Sequence, residues 1–186
     1  MSWSLGEIRA LVVKAARGAG HPWGVADEVG LAVDWLEQCG LPGAEAAAQW
    51  LQPQTGACPV TLGLTIADSG DLDQLPSDGA VAMPLLLLPF LGRAAPERAA
   101  LSLKIGAQAV LVWSDGTDLD GPLPTSAVVS FAGMAEKADQ HPGVFRVQNI
   151  AAANLTTLND FAARTYAPAT EASRLLGAGA GLTDND

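Results

Sequence analysis

Histidine and cysteine are scarce in this sequence, and their scarcity excludes several kinds of site. The 186 residues include two histidines, His21 and His141, and two cysteines, Cys39 and Cys58. Neither cysteine has a second cysteine or histidine at the spacing of a zinc site, so we expect no bound metal and no cofactor. Charged residues from Glu7 onward interrupt the N-terminus before the apolar stretch of a secretory signal could form. We therefore expect a cytoplasmic protein whose thiols stay reduced.

Positively charged residues are also few in this sequence. Ten Lys and Arg residues stand against twenty Asp and Glu residues, which gives a formal net charge of −10 without any basic segment. Binding to the phosphates of nucleic acids or anionic lipids requires clustered Lys and Arg, so we expect neither nucleic acid nor a membrane as a partner. The longest uncharged apolar run, 79–92, is shorter than the ~20 residues of a membrane-spanning helix and contains two prolines. We expect this run in the core.

The first 52 residues have the spacing of helices. Ser4 and Glu7 form the pattern of a capping box, and apolar residues then recur every three or four positions until the Gly- and Pro-containing stretch 17–22. The same spacing predicts a second helix around 29–36. A third, shorter helix is predicted to follow Pro42 and Gly43 and to carry Ala47, Trp50 and Leu51 on one side.

From Pro53 onward the apolar pattern has a period of two, which is typical of strands. It predicts a strand over 60–66. It also predicts a hairpin formed by 101–105 and 109–113, because the connection between them is too short for a crossover helix. The remaining predictions in this part of the chain are strands at 81–88, 127–131 and 144–147 and a turn at 115–121.

Helical spacing returns after Ile150, with Asn154 predicted as the cap of a helix that Pro168 ends. Helices followed by strands and then by a helix favour an α+β fold with a largely antiparallel sheet, rather than the strict alternation of a doubly wound fold. We predict a single α+β domain over 1–186. Its parts are N-terminal helices (1–52), a strand-rich centre (53–150), and a C-terminal helix with a Gly-rich tail (151–186).

The loop between the first two predicted helices carries a dense set of chemically useful groups. Arg17, His21 and Trp23 lie there among three glycines, which provides a cation, a titratable ring and close access to the backbone. A second set, near the C-terminus, consists of Thr170, Glu171, Ser173, Arg174 and Asp184. We predict that both sets bind a ligand. The alternative is that the loop only turns the chain between two helices and that Thr170 only caps another.

Two hypotheses about function stay open, because the sequence contains no GxSxG, HExxH, Walker or CxxC motif and no catalytic residue is assigned. The first is a non-catalytic small-molecule-binding protein or accessory subunit. The second is a small metal-independent enzyme that acts on a carboxylate-bearing metabolite. In that enzyme Arg17 and Arg174 hold the carboxylate, and Glu171 or His21 transfers a proton.

The composition also favours self-association. Apolar residues make up 49% of the chain and charged residues 16%, so apolar side chains must occupy much of the surface. We expect a homodimer, since two-fold symmetry is the commonest closed arrangement. The tail from Gly177 to Asp186 is predicted to pack against the body of its own subunit or of a neighbour.

Three stretches carry a family resemblance. The sequences AARGAGHPWG (15–24), YAPATEASR (166–174) and GAGAGLTDND (177–186) resemble an uncharacterised bacterial family, domain of unknown function 3726. The resemblance runs from end to end of the chain. The family has no established activity, so the resemblance implies no catalytic role for any residue.

Overall fold

A computed structural model describes residues 2–138 and 146–166 of the chain. The N-terminal part of the chain is helical, as predicted, with α1 at Leu5–Gly18, α2 at Trp23–Gln38 and α3 at Gly43–Trp50. The predicted capping box is confirmed. The backbone N–H of Glu7 donates to the Ser4 hydroxyl at 3.2 Å, and the Ser4 N–H donates to the Glu7 carboxylate at 2.7 Å.

The start of α3 is capped from a neighbouring helix. Pro42 precedes α3 and offers no side-chain hydrogen bond to its first turn. Instead the buried carboxylate of Glu37, on α2, accepts a hydrogen bond from the Ala44 N–H at 2.8 Å. Burial raises the pKa of Glu37, an effect that the N–H groups of Ala44 and Gly43 partly offset. This hydrogen bond between Ala44 and Glu37 holds α2 and α3 together.

The predicted strand over 60–66 is wrong, because this segment forms helix α4, Pro59–Ser69. Pro59 occupies the first helical position, which suits its fixed backbone angle. The buried positions of α4 recur at helical spacing and are Pro59, Val60, Gly63 and Ile66. Alternate apolar residues in this segment fit a strand equally well, and helix packing against the rest of the core decides between the two.

The predicted strand over 81–88 is also largely wrong. Strand β2 covers only Ala80–Ala82, and a 3₁₀ turn at Pro84–Leu87 leads directly into helix α5, Leu88–Ala94. Pro84 and Pro89 lie in the first turns of these two helical segments, where a missing backbone N–H costs nothing. The expectation that this apolar run belongs to the core is confirmed, since Leu86, Leu87 and Leu91 are fully buried.

The main sheet contains β2 and four further strands, which are β3 (Ala99–Ile105), β4 (Gln108–Trp113), β5 (Gly116–Asp118) and β6 (Ser126–Glu136). Their order is β2-β6-β3-β4-β5, and each neighbouring pair is antiparallel. The predicted hairpin is confirmed as β3 and β4, with Ile105 opposite Gln108. The short strand β5 occupies part of the predicted turn at 115–121. The strand predicted at 127–131 is confirmed and extended as β6.

A smaller sheet and a last helix complete the described fold. Strand β1 (Ser2–Ser4) pairs antiparallel with β7 (Arg146–Gln148), which overlaps the strand predicted at 144–147. Helix α6, Ala152–Ala163, is present, but Ala151 is its N-cap. Asn154 lies inside the helix and is not the predicted cap. Pro168 and the Gly-rich tail lie outside the described residues.

Together these elements confirm the α+β fold, although the middle of the chain contains α4 and α5 as well as strands. Whether the chain forms one domain stays a prediction. Among residues 2–138 and 146–166, no helix is both long and apolar enough to cross a membrane.

Candidate functional site

The loop between α1 and α2 is held in a fixed conformation by the end of α1. The N–H groups of Ala19, Gly20 and His21 donate to carbonyls of the last helical turn at 2.9, 3.0 and 3.1 Å. Gly20 has a φ of +97°, a backbone conformation that favours glycine. These bonds place the His21 side chain close to where α2 begins.

Arg17 lies over the indole of Trp23. Its guanidinium carbon is 4.6 Å from the centre of that ring, and its Nη1 donates to the His21 carbonyl. Its Nε is buried and has no hydrogen-bond partner among the described residues. Trp23 itself is 65% exposed. The loop therefore presents a cation and an accessible aromatic ring side by side.

The imidazole of His21 stacks on Trp50, the last residue of α3. The two ring centres are 4.4 Å apart and the ring planes differ by 23°. Burial lowers the pKa of His21, so the ring is neutral at pH 7. The folded state binds this proton less readily than the unfolded state, so the contribution of His21 to stability falls as the pH drops below about 6.5. We call Arg17, His21, Trp23 and Trp50 the aromatic cluster.

The segment after Trp50 brings Cys58 to the aromatic cluster. Ala57 pairs with β2, since its N–H donates to the Ala80 carbonyl at 2.9 Å and its carbonyl accepts from the Ala82 N–H at 3.0 Å. Gly56 has a φ of +111°, and a side chain there would place its Cβ 2.5 Å from the Ala80 oxygen. Cys58 follows as the N-cap residue of α4.

Cys58 is exposed and its thiol is polarised by its neighbours. Partial burial by itself raises the pKa of this thiol. The backbone N–H and hydroxyl of Thr61, the Trp50 indole and the Val60 N–H outweigh that effect, so the Cys58 pKa lies below its ordinary value. These donors point toward the Cys58 sulfur without forming a well-aligned cap hydrogen bond at the start of α4. Cys58 and His21 thus contact the same indole.

The other cysteine has the opposite character. Burial, together with the nearby carboxylate of Asp115, raises the pKa of Cys39 to about 11. Cys39 lies at the end of α2 and is only partly accessible. At neutral pH it is therefore a protonated, unreactive thiol.

The two chain segments that build the aromatic cluster contain no carboxylate side chain. Neither 8–26 nor 46–67 contains an Asp or Glu, although the whole chain has a net charge of −10. Helices α2 and α4 begin beside the cluster, and neither has a side-chain cap bond or an acidic residue in its first turn. At the start of α2 the backbone N–H groups have no side-chain cap, and together with the Arg17 guanidinium they favour an anion at this surface. At the start of α4 the Val60 and Thr61 N–H groups already point to the Cys58 sulfur.

The structure brings together three of the residues predicted from the sequence, Arg17, His21 and Trp23. The second predicted set (Thr170, Glu171, Ser173, Arg174 and Asp184) lies outside the described residues, as does His141. The sequence analysis missed Trp50 and Cys58. Pro59 was the available signal, since a proline at the first helical position marks Cys58 as the residue that begins a helix. Within the described part of the chain, no group of three or more His, Cys, Asp or Glu side chains could hold a metal ion.

Comparison with known families agrees with the resemblance noted from the sequence. Residues 3–73 match the model of the family described as Protein of unknown function (DUF3726). No curated protein and no solved structure matches the chain. The matched residues include the whole aromatic cluster and Cys58, whereas the stretches at 166–174 and 177–186 lie beyond the match. The resemblance is thus confirmed over 3–73, and its bacterial origin stays a prediction.

Proposed function

We propose that the protein binds a small aromatic carboxylate at the aromatic cluster, in a non-catalytic binding or accessory role. The observation that carries this proposal is the meeting of positive groups in an otherwise acidic chain. The Arg17 guanidinium lies over the indole of Trp23, and Trp23 is the first residue of α2, whose N-terminal N–H groups have no side-chain cap. A carboxylate satisfies these groups, and a planar ring stacks on the exposed face of Trp23.

The test uses benzoate as the probe and titration calorimetry as the measurement. Arg17→Gln removes the charge and is expected to weaken benzoate binding about tenfold or more, the effect of losing one charge-assisted hydrogen bond. Benzyl alcohol, which has the ring without the carboxylate, should bind weakly to the wild type and be insensitive to this substitution.

Arg93→Gln provides the matched control. Arg93 also lies over an aromatic ring, at 5.1 Å from the centre of Phe90, but it belongs to α5 and pairs with Glu28 at 2.6 Å. Benzoate affinity should be unchanged in this variant. Equal losses in the two arginine variants, or no benzoate binding by the wild type, would refute the proposed site.

A second candidate is the metal-independent enzyme considered from the sequence, and Cys58 favours it. An exposed thiol with a lowered pKa, at the start of a helix and in contact with the indole on which a neutral imidazole stacks, has the features of a nucleophile. In such an enzyme His21 takes the thiol proton as the Cys58 sulfur adds to an electrophilic, doubly bonded carbon of the bound molecule. The π bond of that carbon breaks, its electron pair passes to the neighbouring atom, and the protonated His21 returns the proton to that atom. The roles assigned to Glu171 and Arg174 stay predictions.

Self-association and a cytoplasmic location also stay predictions. Three large apolar side chains on β6 are exposed and would support a dimer: Val128, Phe131 and Met134 are 44%, 42% and 54% exposed. Light scattering at micromolar concentration measures the mass directly, and a monomer mass would contradict the dimer.

A further inference from the structure

A cavity whose lining includes no residue of the aromatic cluster lies between α3 and the 119–125 connection that links β5 to β6. Its volume is about 410 Å³, within the range of small-molecule sites. The lining is predominantly apolar and includes Leu41, Met83, Leu85, Leu119 and Leu123. Such a lining suits the body of a small apolar molecule.

The backbone at one wall of this cavity is strained. Met83 has φ 46° and ψ 59°, the left-handed conformation that residues other than glycine seldom adopt. Its N–H donates to the Thr125 carbonyl at 2.7 Å, which ties this wall to the connection on the opposite side. The conformation costs about 1–2 kcal/mol, and strain of this kind concentrates at ligand sites.

The polar side chains that line the cavity are those of Gln49, Thr125 and one carboxylate, Glu45. Glu45 lies in the first turn of α3, and no Lys, Arg or His lines the cavity. The Oε1 atom of Glu45 accepts a hydrogen bond from the Ala151 N–H at 3.1 Å, and its Oε2 accepts none from the described residues. The cavity therefore combines an apolar wall with one negative charge that has no ion-pair partner in the described part of the chain.

We propose that this cavity binds a small apolar molecule that carries a primary ammonium group, with the ammonium at Glu45 and the apolar body against Met83, Leu85 and Leu123. An ammonium supplies both the positive charge and the donors that Glu45 can accept. The aromatic cluster favours an anion, so the two sites select ligands of opposite charge. This inference does not depend on the function proposed above.

Three probes with the same ring and similar length separate charge from apolar contact. They are 2-phenylethylamine, 2-phenylethanol and 3-phenylpropionate, and their binding is measured by calorimetry with chemical shift mapping. The wild type should bind the amine at least tenfold more tightly than the alcohol, and the propionate should not perturb the cavity residues. Glu45→Gln keeps an oxygen for the Ala151 N–H and should reduce amine affinity to that of the alcohol.

Two further variants complete the test. Leu123→Trp is expected to fill the cavity and abolish binding of both amine and alcohol. Asp27→Asn removes an exposed carboxylate of α2 that does not line the cavity, and it should leave the amine preference unchanged. The proposal is overturned if the wild type binds amine and alcohol equally or not at all, or if the amine preference survives Glu45→Gln in a folded protein.

Discussion

Iodoacetamide is expected to alkylate Cys58 at least a hundredfold faster than Cys39 at pH 7. A thiol with a pKa of about 11, as for Cys39, is thiolate in about one molecule in ten thousand at this pH. The Cys58 pKa lies below its ordinary value, so ~1% or more of it is thiolate. Since the thiolate is the nucleophile, these fractions favour Cys58. The more basic Cys39 thiolate has the higher intrinsic nucleophilicity, which works against this ratio, and the lower accessibility of Cys39 works with it. Peptide mapping by mass spectrometry measures both rates in one sample.

The dependence of each rate on pH distinguishes ionisation from access. If ionisation controls the difference, the midpoint for Cys58 lies below that of an unperturbed thiol, and Cys39 gains reactivity only in strong alkali. Thr61→Val removes a hydroxyl that lowers the Cys58 pKa, and it should shift the Cys58 midpoint upward while leaving Cys39 unchanged. Identical midpoints for the two cysteines would contradict the environment described for Cys58.

Gly18→Ala should destabilise the protein by about 3 kcal/mol or more. Gly18 is the last residue of α1, and an added Cβ would lie 1.8 Å from the Phe161 carbonyl oxygen of α6. The obstructing atoms are backbone, which cannot rotate away, so the two helices must separate. Because Arg17 precedes this position, the displacement should also disturb the aromatic cluster. Chemical denaturation measures the change in the free energy of unfolding.

Gly6→Ala, in the same helix, is the matched control. No atom lies within 4 Å of a Cβ added at Gly6. Alanine has the higher helix propensity, so stability should be unchanged or increase by up to about 1 kcal/mol. Similar losses at both positions would show that α1 and α6 do not approach as closely as described.

The sequence predicted helices well where apolar spacing and end signals agree. For α1, the capping box at Ser4 and Glu7 and the glycine-rich stop fix the helix without reference to the rest of the fold. The segment 60–66 had alternating apolar residues that suit either a strand or a helix. Its packing against α5 favours the helix, and Gly63 allows Phe90 to approach closely. Such a contact is not visible in the local pattern.

Only the part of the candidate site that lies within one short loop could be predicted from the sequence. Arg17, His21 and Trp23 belong to one short loop, and its density of polar and aromatic groups indicates a ligand site. Trp50 and Cys58 reach the same place through helix packing and the pairing of Ala57 with β2. Pro59 marks Cys58 as the start of a helix, but nothing at positions 50 or 58 indicates these long-range contacts. The stacking of His21 on Trp50 and the contact of that indole with the Cys58 thiol therefore could not be predicted from the sequence.

The most direct test of the anion site is the titration of His21 by NMR, with and without saturating benzoate. His141→Asn leaves His21 as the one imidazole signal. Burial holds the pKa of His21 below its ordinary value in the free protein. An anion at the aromatic cluster favours the protonated ring and should raise that pKa by about half a unit or more. The rise should disappear in Arg17→Gln at the same benzoate concentration. A His21 titration curve that benzoate leaves unchanged would contradict the binding of a carboxylate at this site.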